Sequence, residues 1–159
     1  LVSTDRRILD EAAREIVRQA ALLKRQECVQ KVLENGLFLV EAADLEDAAR
    51  IASLYAPEHL ELQVADPKAL APKITAAGTI FMGEYTPEPV GDYIAGPSHV
   101  LPTGGTARFF NGLTGDAFFR RTSLLSYDRE ALLREQPALA RLTAAEGLDA
   151  HGRSAAIRK

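Results

Sequence analysis

The chain has 159 residues, 47% of them hydrophobic and 26% charged, with a formal net charge of −3. That composition fits one ordinary folded domain with or without an appendage, and excludes a disordered tail, a collagen-like fibre and a disulfide scaffold. The acidic balance argues against a nucleic-acid partner, whose phosphates need a clustered basic excess, and no apolar run reaches the roughly 18 residues of a membrane span.

Residues 5–31 read as a helix, with Ile8, Ala12, Ile16, Ala20 and Leu23 recurring at spacings of three and four. Asn35-Gly36 stops it. Leu37-Phe38-Leu39-Val40 is a short apolar run, expected as a buried strand. Asp44 caps a second helix over 45–54, which Pro57 ends. Residues 60–64 alternate as a strand does. Asp66-Pro67 opens a third helix toward residue 77, with Pro72 as a kink. Gly78 stops that helix, and 79–82 is a further strand.

The order α-β-α-β-α-β predicts an α/β fold with a mostly parallel sheet. With about three strands in view, the expectation is part of an incomplete Rossmann-like α/β/α sandwich. Between 83 and 115 prolines and glycines crowd in, interleaved with Tyr85, Tyr93, Phe109 and Phe110. A long irregular stretch carrying aromatics points to function rather than disorder. Residues 117–126 suit a strand or a connection. Asp128 then caps a helix expected to break at Pro137 and continue to about residue 146, and a short helix starts at Asp149. The expected division is 1–112 for the α/β part and 113–159 for a small all-helical subdomain.

The lone cysteine, Cys28, permits no internal disulfide and suits a reducing, cytoplasmic setting. The opening residues lack the basic-then-apolar order of a signal peptide. The sequence begins at Leu1 and its one methionine is Met82, so a piece of a longer product is expected.

The three histidines carry the candidate chemistry. Glu58 and His59 are neighbours in a turn leading into a strand. An imidazole beside a carboxylate is a general acid/base pair, or simply a surface Glu and a half-buried His. His99 and Asp92 share the Gly/Pro-rich stretch, where they suit a metal or polar substrate, or equally a loop histidine and a capping carboxylate. His151 follows Asp149 at the start of the last helix. The helix dipole there favours the neutral, ligating imidazole over its cation, while an exposed terminal position is the alternative.

Four blocks together resemble histidinol dehydrogenase: Tyr-Ala-Pro-Glu-His-Leu-Glu at 55–61, Ala-Gly-Thr-Ile-Phe-Met-Gly at 77–83, Gly-Asp-Tyr-Ile-Ala-Gly-Pro-Ser-His-Val-Leu-Pro-Thr at 91–103, and Glu-Gly-Leu-Asp-Ala-His at 146–151. They occur in the family's order and near its spacing, and the resemblance covers essentially the whole chain. It implies a zinc- and NAD-dependent enzyme that oxidises L-histidinol to L-histidine in two steps through an aldehyde. Glu58 and His59 match the family's catalytic pair. Asp92 and His151 match two zinc ligands, Glu146 a substrate-binding carboxylate, and His99 a substrate-pocket histidine. His59, Asp92 and His151 also belong to the implied substrate-binding set. The resemblance further implies a homodimer with shared active sites. The remaining zinc ligands, a Gln and a His, and the NAD-binding region lie upstream of Leu1, so the isolated piece is expected to be inactive. The alternative is a dimerisation module that kept the fold and lost catalysis.

Overall fold

A computed structural model describes residues 1–158, and the chain divides into two compact units, Leu1–Phe118 and Phe119–Lys159. In the first unit, β1 (Val2–Ser3) pairs in parallel with β2 (Val40–Glu41). Two helices connect them, α1 (Arg6–Ala20) and α2 (Gln26–Asn35). The single helix expected over 5–31 is therefore interrupted. The side-chain amide of Gln26 donates to the carbonyls of Ala20 and Leu23, and the Leu22 and Leu23 amides turn back to Gln19 and Ala20. Acceptors that a continuing helix would use are thus already occupied. The expected strand at 37–40 joins the ladder only at Val40.

Asp44 caps α3 (Leu45–Tyr55) by accepting from the Asp47 amide at 2.8 Å. The chain leaves α3 through Ala56, which is fully buried with φ 53° and ψ 63°. It enters β3 (His59–Leu62), which pairs in parallel with β4 (Thr79–Met82) in the register His59↔Thr79 to Leu62↔Met82. Asp66 caps α4 (Pro67–Leu70), which tightens into a 3-10 turn at Ala71–Lys73 and ends at Ile74. Pro72 has no N–H for an α-helical bond, and the backbone turns extended at Ile74 (φ −83°, ψ 115°), so the element stops short of residue 77. The core packs Ala49 of α3, Leu62 of β3 and Leu70 of α4 together with Leu60, Val64, Ile74 and Ile80. The strands thus form two separate two-stranded ladders.

The Gly/Pro-rich stretch holds a helix that its composition hid, α5 (Glu88–Tyr93). Pro89 sits in its first turn, where a fixed φ suits a helix start and a missing N–H costs nothing. Beyond it lie 3-10 turns at Thr106–Arg108 and Gly115–Phe118, so residues 117–126 form a connection.

The second unit carries α6 (Arg129–Ala145) and α7 (Asp149–Ala156). Asp128 caps α6 through the Ala131 amide. The expected break at Pro137 does not occur. The helix runs through it, losing one backbone bond among flanking Ala, Leu, Arg and Gln, which all favour helix. Gly147 (φ 69°) ends α6 in a left-handed turn. Gly152 lets α7 approach Thr143, and Gln136 ties the helices by donating to the carbonyls of Ala155 and Arg158. Among the described residues no helix is long and apolar enough to cross a membrane.

Candidate functional site

The alternation of β3 separates its side chains. Leu60 and Leu62 face the core formed with α3 and α4. His59 and Glu61 therefore face the other way, where Phe81 stands beside Glu61 in the register. Phe81 is buried, and its ring centroid lies 5.8 Å from that of His59.

Helix α5 covers this face. Its first amide, on Glu88, donates to Glu61 Oε1 at 2.9 Å. Its Gly91 lies directly on Phe81, where a Cβ would sit 2.5 Å from Cε1 of the ring. Only a residue without a side chain permits that approach. Glu88 and Asp92 are four positions apart, hence on one side of the helix, and both carboxylates reach His59. Nε2 of His59 is 3.5 Å from Asp92 Oδ1 and 3.6 Å from Glu88 Oε1.

Those separations exceed an ordinary N–H···O bond. Nε2 is nevertheless buried, with no hydrogen-bond partner among the described residues. An orphaned imidazole nitrogen facing two carboxylates is a place for a proton or a cation. The three side chains offer ligand atoms all within 4.8 Å of one another. The mixed nitrogen and oxygen set fits zinc, which accepts both.

Glu58 sits in the turn before β3, half-buried. Its carbonyl accepts the Thr79 amide at 2.9 Å, and Gly78 leaves no room beside it, since a Cβ would lie 2.5 Å from that oxygen. The left-handed Ala56 two residues earlier makes the sharp exit from α3. A non-glycine residue in that conformation costs about 1–2 kcal/mol and marks a turn held by its surroundings.

Of the other candidates, His99 is exposed in the stretch after α5, beside Ser98, whose hydroxyl accepts the Val100 amide. Glu146 and His151 belong to the second unit and are exposed there, one just past α6 and the other in the first turn of α7. Sequence reading missed Glu88, Glu61 and Gly91. The signal was present as two carboxylates four apart behind Pro87 and Pro89, but the glycines and prolines masked a six-residue helix. A hollow lies elsewhere, between α3 and the 71–76 segment. Its cations are already engaged: Arg50 by Asp47, Lys73 by Glu46, and Arg108 by the carbonyls of Leu54 and Gly105. The cluster at His59 is therefore the better candidate.

The family model described as Histidinol dehydrogenase matches residues 1–159. The chain is 46% identical over 144 residues to histidinol dehydrogenase from Heliobacterium mobile, covering 91% of this chain and 34% of that protein. To the same enzyme from Syntrophotalea carbinolica it is 46% identical over 158 residues, covering 99% and 37%. The crystal structure of histidinol dehydrogenase from Elizabethkingia anophelis matches with a TM-score of 0.76 at 30% identity, over 99% of this chain and 36% of that one. The chain thus spans about a third of the length of the relatives it matches.

Proposed function

Since the chain belongs to the histidinol dehydrogenase family, we propose that it is the C-terminal portion of a zinc- and NAD-dependent enzyme oxidising L-histidinol to L-histidine. One observation carries this reading. His59 and Asp92, assigned to one active site by their motifs, meet at 3.5 Å although they sit on different elements. In this reading the two parallel ladders are parts of a Rossmann-like sandwich completed upstream, residues 1–112 supply the α/β share, and 113–159 serve the partner subunit of a homodimer. The exposed lone thiol of Cys28 suits a reducing cytoplasm.

Of the cluster at His59, Asp92 would hold the zinc, together with His151 of the partner subunit and a Gln and a His from upstream, which leaves the His59 imidazole to handle protons. Bound zinc would orient the substrate by accepting its imidazole and amino nitrogens. Gly104 and Gly105 lead into a 3-10 turn, without the strand directly before and the α-helix directly after that a dinucleotide cradle needs. In this reading NAD contacts lie upstream.

The chain's residues then manage protons. His59 takes the hydroxyl proton as hydride leaves the carbinol carbon, giving the aldehyde. Glu58 takes a proton from water as the water oxygen bonds to the aldehyde carbon and the carbonyl oxygen takes up the electron pair, giving the monoanion of the hydrate. His59, having released its first proton, accepts one from the hydrate as the second hydride leaves, giving the carboxylate. In this reading His99, with Glu146 and His151 of the partner subunit, completes the substrate pocket.

The test is the stoichiometry of the full-length protein. Two NADH formed per histidinol consumed, with histidine as product, is the expected result. No turnover of histidinol by zinc-loaded full-length protein would leave the inactive-module reading in its place.

A further inference from the structure

We propose that Glu61 is a positioning residue for this site, an inference that rests on the functional reading above. It clamps α5 to β3 and so holds Asp92 and Glu88 opposite His59.

Helix α5 has six residues, too few to persist without help from outside. Its N-cap is Pro87, which makes no side-chain capping bond. The Val90 amide turns back to the Pro87 carbonyl, and Pro89 has no N–H. That leaves the Glu88 amide, and its acceptor comes from the sheet: Oε1 of Glu61, at 2.9 Å. The other carboxylate oxygen of Glu61 accepts from Gln63 Nε2 at 3.2 Å, which fixes the rotamer. Gly91 on Phe81 sets how closely α5 lies to the sheet. Glu61 sets where along the strand it lies. Glu61 is also two residues from His59 on the same face of β3, so the strand that presents the imidazole also anchors the helix presenting the carboxylates. Reacting groups displaced by about 1 Å lose up to roughly a hundredfold in rate, so a clamp this close to the site bears on catalysis without touching substrate.

The experiment uses the full-length protein with Glu61→Ala, Glu61→Asp and Glu61→Gln. Hydrogen exchange is read at the Glu88 amide, which mass spectrometry isolates well because Pro87 and Pro89 carry no amide hydrogen. Zinc retention against a chelator and the kcat and KM for histidinol are read beside it. Glu61→Ala should speed exchange at Glu88 by about tenfold or more. It should lower kcat by roughly ten- to a hundredfold, with a smaller change in KM, and weaken zinc retention. Glu61→Asp, one methylene too short to reach, should do the same, and serves if the alanine variant does not fold. Glu61→Gln keeps an acceptor oxygen and should restore protection of Glu88 and most of kcat. Wild-type exchange at Glu88 in both Glu61→Ala and Glu61→Asp would overturn the clamp, as would a glutamine variant as impaired as the alanine one. A wild-type protein that fails to oxidise histidinol would sink the functional reading instead, and the exchange comparison would still decide the clamp.

Discussion

Nε2 of His59, on β3, lies 3.5 Å from Oδ1 of Asp92, on α5, and among the described residues no hydrogen bond satisfies the buried nitrogen. A cation held by Asp92 would be near the imidazole proposed to handle substrate protons. Asp92→Asn keeps the shape and removes the negative charge. Loss of an outer partner of a metal ligand costs about 10–100-fold in metal affinity, so loss of the ligand's own charge should cost at least that much. Zinc content after dialysis and the histidinol turnover rate should fall together, and a variant that keeps full zinc occupancy would refute the assignment of Asp92.

Gly91→Ala should separate α5 from the sheet. The added methyl would meet the Phe81 ring at 2.5 Å, and overpacking of this kind costs about 1–3 kcal/mol. Thermal denaturation of the full-length protein should show the loss, with activity falling further than stability because His59 and Asp92 part. Phe81→Leu trims the ring. Combined with Gly91→Ala it should be less damaging than the two single effects added, and simple additivity would show that the contact does not set the spacing.

How much of this was legible in the sequence depended on local signals. The caps at Asp44, Asp66 and Asp128 were readable because each side chain bonds an amide three residues on. The strand at 79–82 was readable from a short β-prone run after a turn residue, and the alternation over 60–64 marked the strand that forms at His59–Leu62. The helix break after Ala20 was not, because it depends on where the Gln26 amide points. Nor was α5, which meets Glu61 and Phe81 on other elements, contacts no local pattern announces. Residues 55–61 and 91–103 drew attention to His59 and Asp92, but only the register of β3 against β4 shows why they meet. Glu88 became visible only once α5 was in place.

Gly78→Ala should act on Glu58 through the backbone. Its Cβ would lie 2.5 Å from the Glu58 carbonyl oxygen, a main-chain atom that cannot rotate aside, and the Thr79 amide bonds that same oxygen. Relief requires breaking the first bond of the β3–β4 ladder, at about 1–3 kcal/mol. A lower melting temperature with a reduced kcat is expected. Unchanged values of both would mean that the turn yields more readily than its contacts imply.

The 159-residue chain alone should associate and should not oxidise histidinol. Among the described residues only Leu9, Leu62, Leu70 and Phe81 of the larger apolar side chains are buried, while Val17 is 68% and Phe38 61% exposed. Apolar surface left uncovered on that scale drives self-association. Light scattering should report species larger than a monomer, and dye binding should report accessible apolar surface. A monomer with a sharp melting transition would show that the chain needs no further packing partner.

Glu58 and His59 should separate the two half-reactions of the full-length enzyme. In the proposed mechanism His59 takes a proton in both oxidations, so His59→Asn should slow both, the alcohol step by about 10²–10⁴-fold, the range expected for removing a general base. Glu58 there acts on the water that adds to the aldehyde. Glu58→Gln should therefore leave the first NADH burst nearly intact and slow the second by a similar factor, with aldehyde accumulating on the enzyme. Single-turnover measurement of NADH from histidinol, and separately from the aldehyde, distinguishes the steps. Equal loss in both half-reactions for Glu58→Gln would contradict the division of labour and place Glu58 with His59 in the first proton transfer.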